Sequence, residues 1–237
     1  MLNEIQALLD QGELLKILIV LLLCYAISTV LISFFGKENK TFLLFLKQSF
    51  FSYQSLCIAL SIPSLMAMCS FLYGYGDYAW FVFGICFLFL ILGWIDCYKL
   101  AVPDILNFSL LFYVFFGLYF LDLLSYGHFI SSFSLVGAFA LLRMLGGFVF
   151  AKEIMGEADL IVMGTIRALF SFVYGCHVVV ASSFLAILYI LILSAFNYKN
   201  KTISFSQIKI PFICFLFLGF ILGLIYEKYP IFGVLNV

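Results

Sequence analysis

Long apolar runs separated by short polar breaks fill this chain almost from end to end. Eight such runs can be read: Ile17 to Phe35, Ser52 to Tyr73, Ala79 to Ile95, Ile105 to Leu123, Phe129 to Phe150, Asp159 to Tyr174, His177 to Phe196 and Pro211 to Tyr226. Most approach the ~20 residues that an α-helix needs to cross the hydrocarbon core of a bilayer. They are continuous rather than alternating, so they read as helices and not as the strands of a barrel. The pattern therefore predicts an all-α, polytopic integral membrane protein with about eight transmembrane helices. The sixth run is short, and is expected to tilt or to begin as a partly unwound or re-entrant segment shielded by its neighbours. Thr41 to Tyr53 is apolar with Lys47, Gln48 and Gln54 close by, which suits a helix in the interface as well as a membrane-insertion segment. The first run is too long for a cleaved signal and follows Glu4, Asp10 and Glu13 with no basic cluster, so it is expected to be a real span.

Composition confirms the class and charge gives an orientation. With 66% hydrophobic and 10% charged residues, a soluble domain of this length has too little polar surface to cover its apolar atoms. The formal net charge is zero, which removes the electrostatic case for a nucleic-acid partner. Lys37, Lys40 and Lys47 follow the first run, Lys99 the third, Lys152 the fifth, and Lys199, Lys201 and Lys209 the seventh, while Gly74 to Tyr78 and Asp122 to His128 contain no Lys or Arg. By the positive-inside rule the basic loops face the cytoplasm, and both termini lie outside. No repeat or linker interrupts the chain, which reads as a single membrane domain over residues 1–237.

Asp96 and Asp159 both fall where an apolar run meets a predicted cytoplasmic loop, although 63 residues separate them (159 minus 96). A charge at membrane depth costs roughly 2.5 to 3.5 kcal/mol or more, so such a group is usually paired, protonated or functional; two solvated loop acids are the plain alternative. The neighbouring residues add to this. Asp96 is followed by Lys99, Pro103 and Asp104. Asp159 is preceded by Lys152, Glu153, Met155, Gly156, Glu157 and Ala158. These residues resemble the two motifs of the type IV prepilin peptidases, bacterial membrane aspartic peptidases with a Gly-x-Gly-Asp signature. The resemblance runs from about Ala79 to Tyr226, with Ile210-Pro211-Phe212 like the start of the family's last span. Two positions depart: Ala158 stands where the family has Gly, and Ile161 where it usually has Lys.

The resemblance implies a peptidase core over residues 79–226 with Asp96 and Asp159 as its catalytic dyad. Two carboxylates held close cannot both ionise cheaply, so one keeps a proton while the other acts as a base. The base activates water against the scissile carbonyl and its partner hydrogen-bonds the carbonyl oxygen. No cofactor is implied. The implied partners are the leader peptides of prepilins or the pseudopilins of type II secretion, met at the cytoplasmic face of the inner membrane. Residues 36–51 form a short loop where bifunctional members carry a zinc-binding module linked to N-methylation. The seven cysteines include no Cys-x-x-Cys, so neither metal nor methyl transfer is expected.

Around the dyad, Asp104 after Pro103 suits a helix N-cap, and Lys99 suits a topology anchor. Glu157 suits a solvated loop acid. Arg143 and Arg167 lie seven or eight residues from their cytoplasmic ends and are expected to snorkel or to pair with an acid near the site. Gly146, Gly147, Gly156 and Gly164 suit close helix packing or a local unwinding at Asp159. His128 and His177 carry no role. A proton-coupled transporter and a non-catalytic membrane assembly factor stay open as alternatives.

Overall fold

A computed structural model describes residues 11–36, 53–150, 155–170, 172–197 and 210–229. Within them the chain is all-helical: α1 (Gln11–Gly36), α2 (Tyr53–Tyr73), α3 (Asp77–Lys99), α4 (Asp104–Phe120), α5 (Tyr126–Phe150), α6 (Glu157–Leu169), α7 (Phe172–Asn197) and α8 (Phe212–Lys228). Five helices, α1, α2, α3, α5 and α7, are long and apolar enough to cross a membrane. The shorter α4, 17 residues, is also apolar. The interfacial segment expected at 41–53 and the Lys152-Glu153 half of the second motif lie outside the described residues, apart from Tyr53.

The chain forms two compact units, residues 1–74 and 75–237. In the first, α1 packs on α2. Hydroxyls within α1 are satisfied locally: Ser28 donates to the Tyr25 carbonyl at 2.9 Å and Thr29 to the Ala26 carbonyl at 2.9 Å. This is the usual way a hydroxyl is tolerated in an apolar helix.

The second unit contains α3 to α8, and its side-chain contacts fix the direction of each helix. Phe81 of α3 stacks on Tyr113 of α4 at 5.8 Å, and Phe115 of α4 on Phe129 of α5 at 4.6 Å. Ser132 of α5 donates to the Gly164 carbonyl of α6 at 2.7 Å, while Arg143 and Glu157 meet nearer the connecting loop at 3.1 Å. Tyr189 of α7 packs on Phe215 of α8 at 5.3 Å. The last helix returns along α3, with Phe89 on Phe220 at 5.4 Å and Asp96 on Ile213 at 2.9 Å. Each consecutive pair is antiparallel. One end of the unit therefore collects the C-termini of α3, α5 and α7 with the N-termini of α4, α6 and α8. α3 is apolar nearly all round and is buried from Ala79 to Asp96 on most of its faces, as such a helix must be.

The sixth apolar run differs from its expected form. It begins as regular helix at Glu157 rather than as unwound chain, and it ends at Leu169, since Phe170 is extended (φ −99°, ψ 155°) and Phe172 to Tyr174 already belong to α7. Its 13 residues span about 20 Å, short of the ~30 Å hydrocarbon thickness. Arg167 helps to stop it. Its guanidinium, only 5% exposed, donates to the Phe170 carbonyl at 2.9 Å, so the cation serves the negative end of the helix and neither snorkels nor approaches the aspartates.

Candidate active site

The last turn of α3 carries the first motif. The helix stops at Leu100, which takes a left-handed conformation (φ 53°) with its N–H bonded to the Asp96 carbonyl at 2.8 Å. Lys99 is exposed in that last turn. Pro103 is extended and occupies the N-cap position of α4, so Asp104, expected at the cap, is instead the first helical residue and is exposed. An acid there still complements the helix dipole.

The Asp96 side chain does not project into the loop. It is 7% exposed, and its Oδ2 accepts a hydrogen bond from the backbone N–H of Ile213 at 2.9 Å. The Cys214 N–H also reaches this carboxylate. The reason lies in α8, whose N-cap is Pro211 and which has no side-chain cap of its own. Ile213 and Cys214 hold the second and third helical positions, whose N–H groups a capping side chain ordinarily satisfies. Asp96 supplies that acceptor from a helix 117 residues away. Beside it, the Cys97 and Cys214 thiols lie close to each other and to the Asp96 carboxylate.

The second motif opens α6. Gly156 is the N-cap, and Asp159, at the third helical position, turns back so that Oδ2 accepts the Gly156 N–H at 3.2 Å. This is half of a capping box; glycine has no side chain to return the bond. A Cβ on Gly156 would lie 3.3 Å from that same Oδ2, so any side chain there presses on the carboxylate. Ala158 is the second residue of a right-handed helix and is absent from the positive-φ positions, so its methyl replaces glycine without backbone strain. Glycine packing, expected for the whole cluster, is met at Gly164, where a Cβ would run 2.5 Å from Val136 Cγ2, but not at Gly147, which faces open space.

Asp96 and Asp159 thus share one end of the bundle, close enough that the charge on Asp96 acts on Asp159. With helical spacing of ~100° per residue, Asp159 lies on the side of α6 roughly opposite Gly164, together with the buried Val162, Met163 and Ile166. Asp159, half-buried, therefore lies on the side of α6 turned away from α5. Glu157 is on the outer side, 77% exposed, and receives the Arg143 guanidinium at 3.1 Å. The expected pairing of Arg143 with an acid near the site is present, but in a half-wet setting that limits its worth to about 1 kcal/mol or less. Arg143→Gln should accordingly lower the thermal unfolding midpoint in detergent by only a few degrees; a collapse of the fold would show that the pair holds α5 and α6 together. An apolar groove of about 430 Å³ runs beside it, lined by Phe139, Leu142, Leu145 and Val149 among others.

Compared with protein-family models, curated proteins and solved structures, the chain matches none.

One polar residue at this end had not been expected. Asn107, a turn into α4, is 0% exposed, and neither its Nδ2 nor its Oδ1 has a hydrogen-bond partner. The signal was available: a single amide in register with Leu110, Val114 and Leu118 on the inward stripe of an otherwise apolar face. Among the described residues no three His, Cys, Asp or Glu side chains gather in metal-binding geometry. His128 accepts the Ser125 N–H at 3.0 Å at the start of α5, and His177 packs against Tyr226, both at the opposite end from the aspartates.

Proposed function

We propose that this chain is an integral-membrane aspartic endopeptidase of the type IV prepilin peptidase kind. It removes leader peptides from prepilins or pseudopilins at the cytoplasmic face of the bacterial inner membrane. The observation that carries the reading is the placement of Asp96 and Asp159, each on its motif, at one end of the bundle, near enough for the charge on Asp96 to act on Asp159. In the reaction the ionised member takes a proton from water as the water oxygen bonds to the scissile carbonyl carbon. The protonated member hydrogen-bonds the carbonyl oxygen as negative charge develops there. Collapse of the tetrahedral intermediate breaks the C–N bond, and the departing amine takes up a proton from the dyad. The groove beside Arg143 offers the apolar part of a membrane-borne substrate a flank next to the site.

One observation favours a different reading. Asp96 already has a structural task at the first turn of α8, so a non-catalytic membrane assembly factor also accounts for its burial. The test is to incubate the purified chain with a purified prepilin in detergent and weigh the products. A single cut that frees the leader is expected, and the mature product should carry no added methyl group, because residues 36–51 contain no Cys-x-x-Cys pair. An intact prepilin after prolonged incubation supports the assembly factor instead.

A further inference from the structure

Asn107 is a polar side chain in the wrong place for a purely structural residue. It is fully enclosed, with an amide that offers donors and an acceptor and meets none in the protein. Burial of such a group without partners is unfavourable, and an apolar side chain of the same size would suit the position better. The other polar residues near the start of α4 are differently placed: Asp104 is exposed, and Ser109 is exposed and satisfied by the Ile105 carbonyl at 2.6 Å. The retained amide needs another explanation.

Its position supplies one. α4 packs on both α3, which carries Asp96, and α6, which carries Asp159. The side of α4 toward α3 is taken by Tyr113 and Gly117, which meet Gly84 and Phe81. At ~100° per residue, Asn107 lies roughly 100° around the helix from them, on the flank that remains for α6. α4 and α6 run parallel, since each is antiparallel to α5, so Asn107 in the fourth helical position and Asp159 in the third stand at the same end of the packed pair.

Resting on the peptidase reading, we infer that Asn107 is a further catalytic residue, whose amide binds the peptide group at the scissile bond. Nδ2 donates to the carbonyl oxygen, and Oδ1 accepts the N–H of a neighbouring peptide unit. A primary amide has the same donor and acceptor pair as a peptide and suits an extended backbone of any sequence. Asp96 and Asn107 are each buried, so the substrate enters as the ends of α4 and α6 part.

The experiment compares wild type with Asn107→Leu and Asn107→Ala, measuring kcat and KM on a purified prepilin and the thermal unfolding midpoint of each. Asn107→Leu removes the donor at nearly constant volume. Its midpoint should stay level or rise while kcat falls about 100-fold, as for loss of one donor to a developing oxyanion, with KM little changed. Should leucine fail to fold, alanine leaves room for water and should show the same fall in kcat. Wild-type kcat in a folded variant would overturn the inference and leave the amide to an internal water. Loss of stability with unchanged turnover per folded molecule would overturn it in favour of a structural role. If wild type itself does not cleave, the peptidase reading falls first; if it cleaves and Asn107→Leu cleaves equally, this inference alone falls.

Discussion

Asp96→Asn and Asp159→Asn should each reduce prepilin cleavage by a factor of about 1,000 or more, and the double variant should be little worse than either. The two carboxylates divide one task between base and acid, so removing either stops the same step, and removing both stops nothing further. Asn is the informative replacement. Its Oδ1 can still accept the Ile213 N–H that Oδ2 of Asp96 accepts at 2.9 Å, so α8 keeps its cap and the protein its fold. Asp96→Leu removes that acceptor and leaves two amides of α8 unsatisfied, at a cost of about 1 to 2 kcal/mol. The pair of variants therefore separates chemistry from architecture: Asn should inactivate without destabilising, and Leu should do both. Cleavage by Asp96→Asn at near the wild-type rate would falsify the dyad and leave Asp96 as a helix cap alone.

Gly219→Val should be the most damaging single change away from the aspartates. A Cβ at Gly219 would collide with Ser182 Oγ and lie 2.9 Å from the Val178 carbonyl oxygen, which is backbone and cannot swing aside. α7 and α8 must then separate, and overpacking of this kind costs about 1 to 3 kcal/mol. Because α8 also carries the amides that hold Asp96, the shift reaches the site, and activity should fall further than the folded fraction explains. Gly147→Ala is the control. Nothing lies within 4 Å of its Cβ, so the unfolding midpoint and turnover should remain at wild-type values. Equal damage from both changes would mean that the close approach of α7 to α8 is not what makes Gly219 sensitive, since alanine favours a helix over glycine.

The long helices were legible because the signal that makes them is local. Apolar runs bounded by polar loops gave α1, α2, α3, α5 and α7 with ends within about six residues, and the alternation of short connections brought Asp96 and Asp159 to one end. The break at Phe170 was not legible, since Leu169 and Phe172 on either side of Ser171 are apolar and no Gly or Pro lies between Thr165 and Tyr174. Arg167 was misplaced for the same reason: with the helix end unseen, a C-terminal capping cation read as one that snorkels or pairs with an acid near the site. The motif aspartates could be found from their neighbours, but not what Asp96 touches, because its partners are backbone N–H groups, which no residue type announces. Pro211 at the head of a helix lacking its own cap was the one hint that an acceptor must come from elsewhere. Asn107 carries no motif of its own, and its meaning depends on which face of α4 turns inward.

The bond from Asp96 to Ile213 also sets an order of events during synthesis. It closes a loop of 117 residues, and its donor belongs to α8, which is synthesised after both motifs. Until α8 is in place, the carboxylate at the end of α3 has no amides to hold it, and the polar end of the bundle stays incomplete. A chain released before residue 210 contains both aspartates and both motifs, yet it lacks the element that seats the first of them. Maturation of this site is therefore tied to the synthesis and packing of α8.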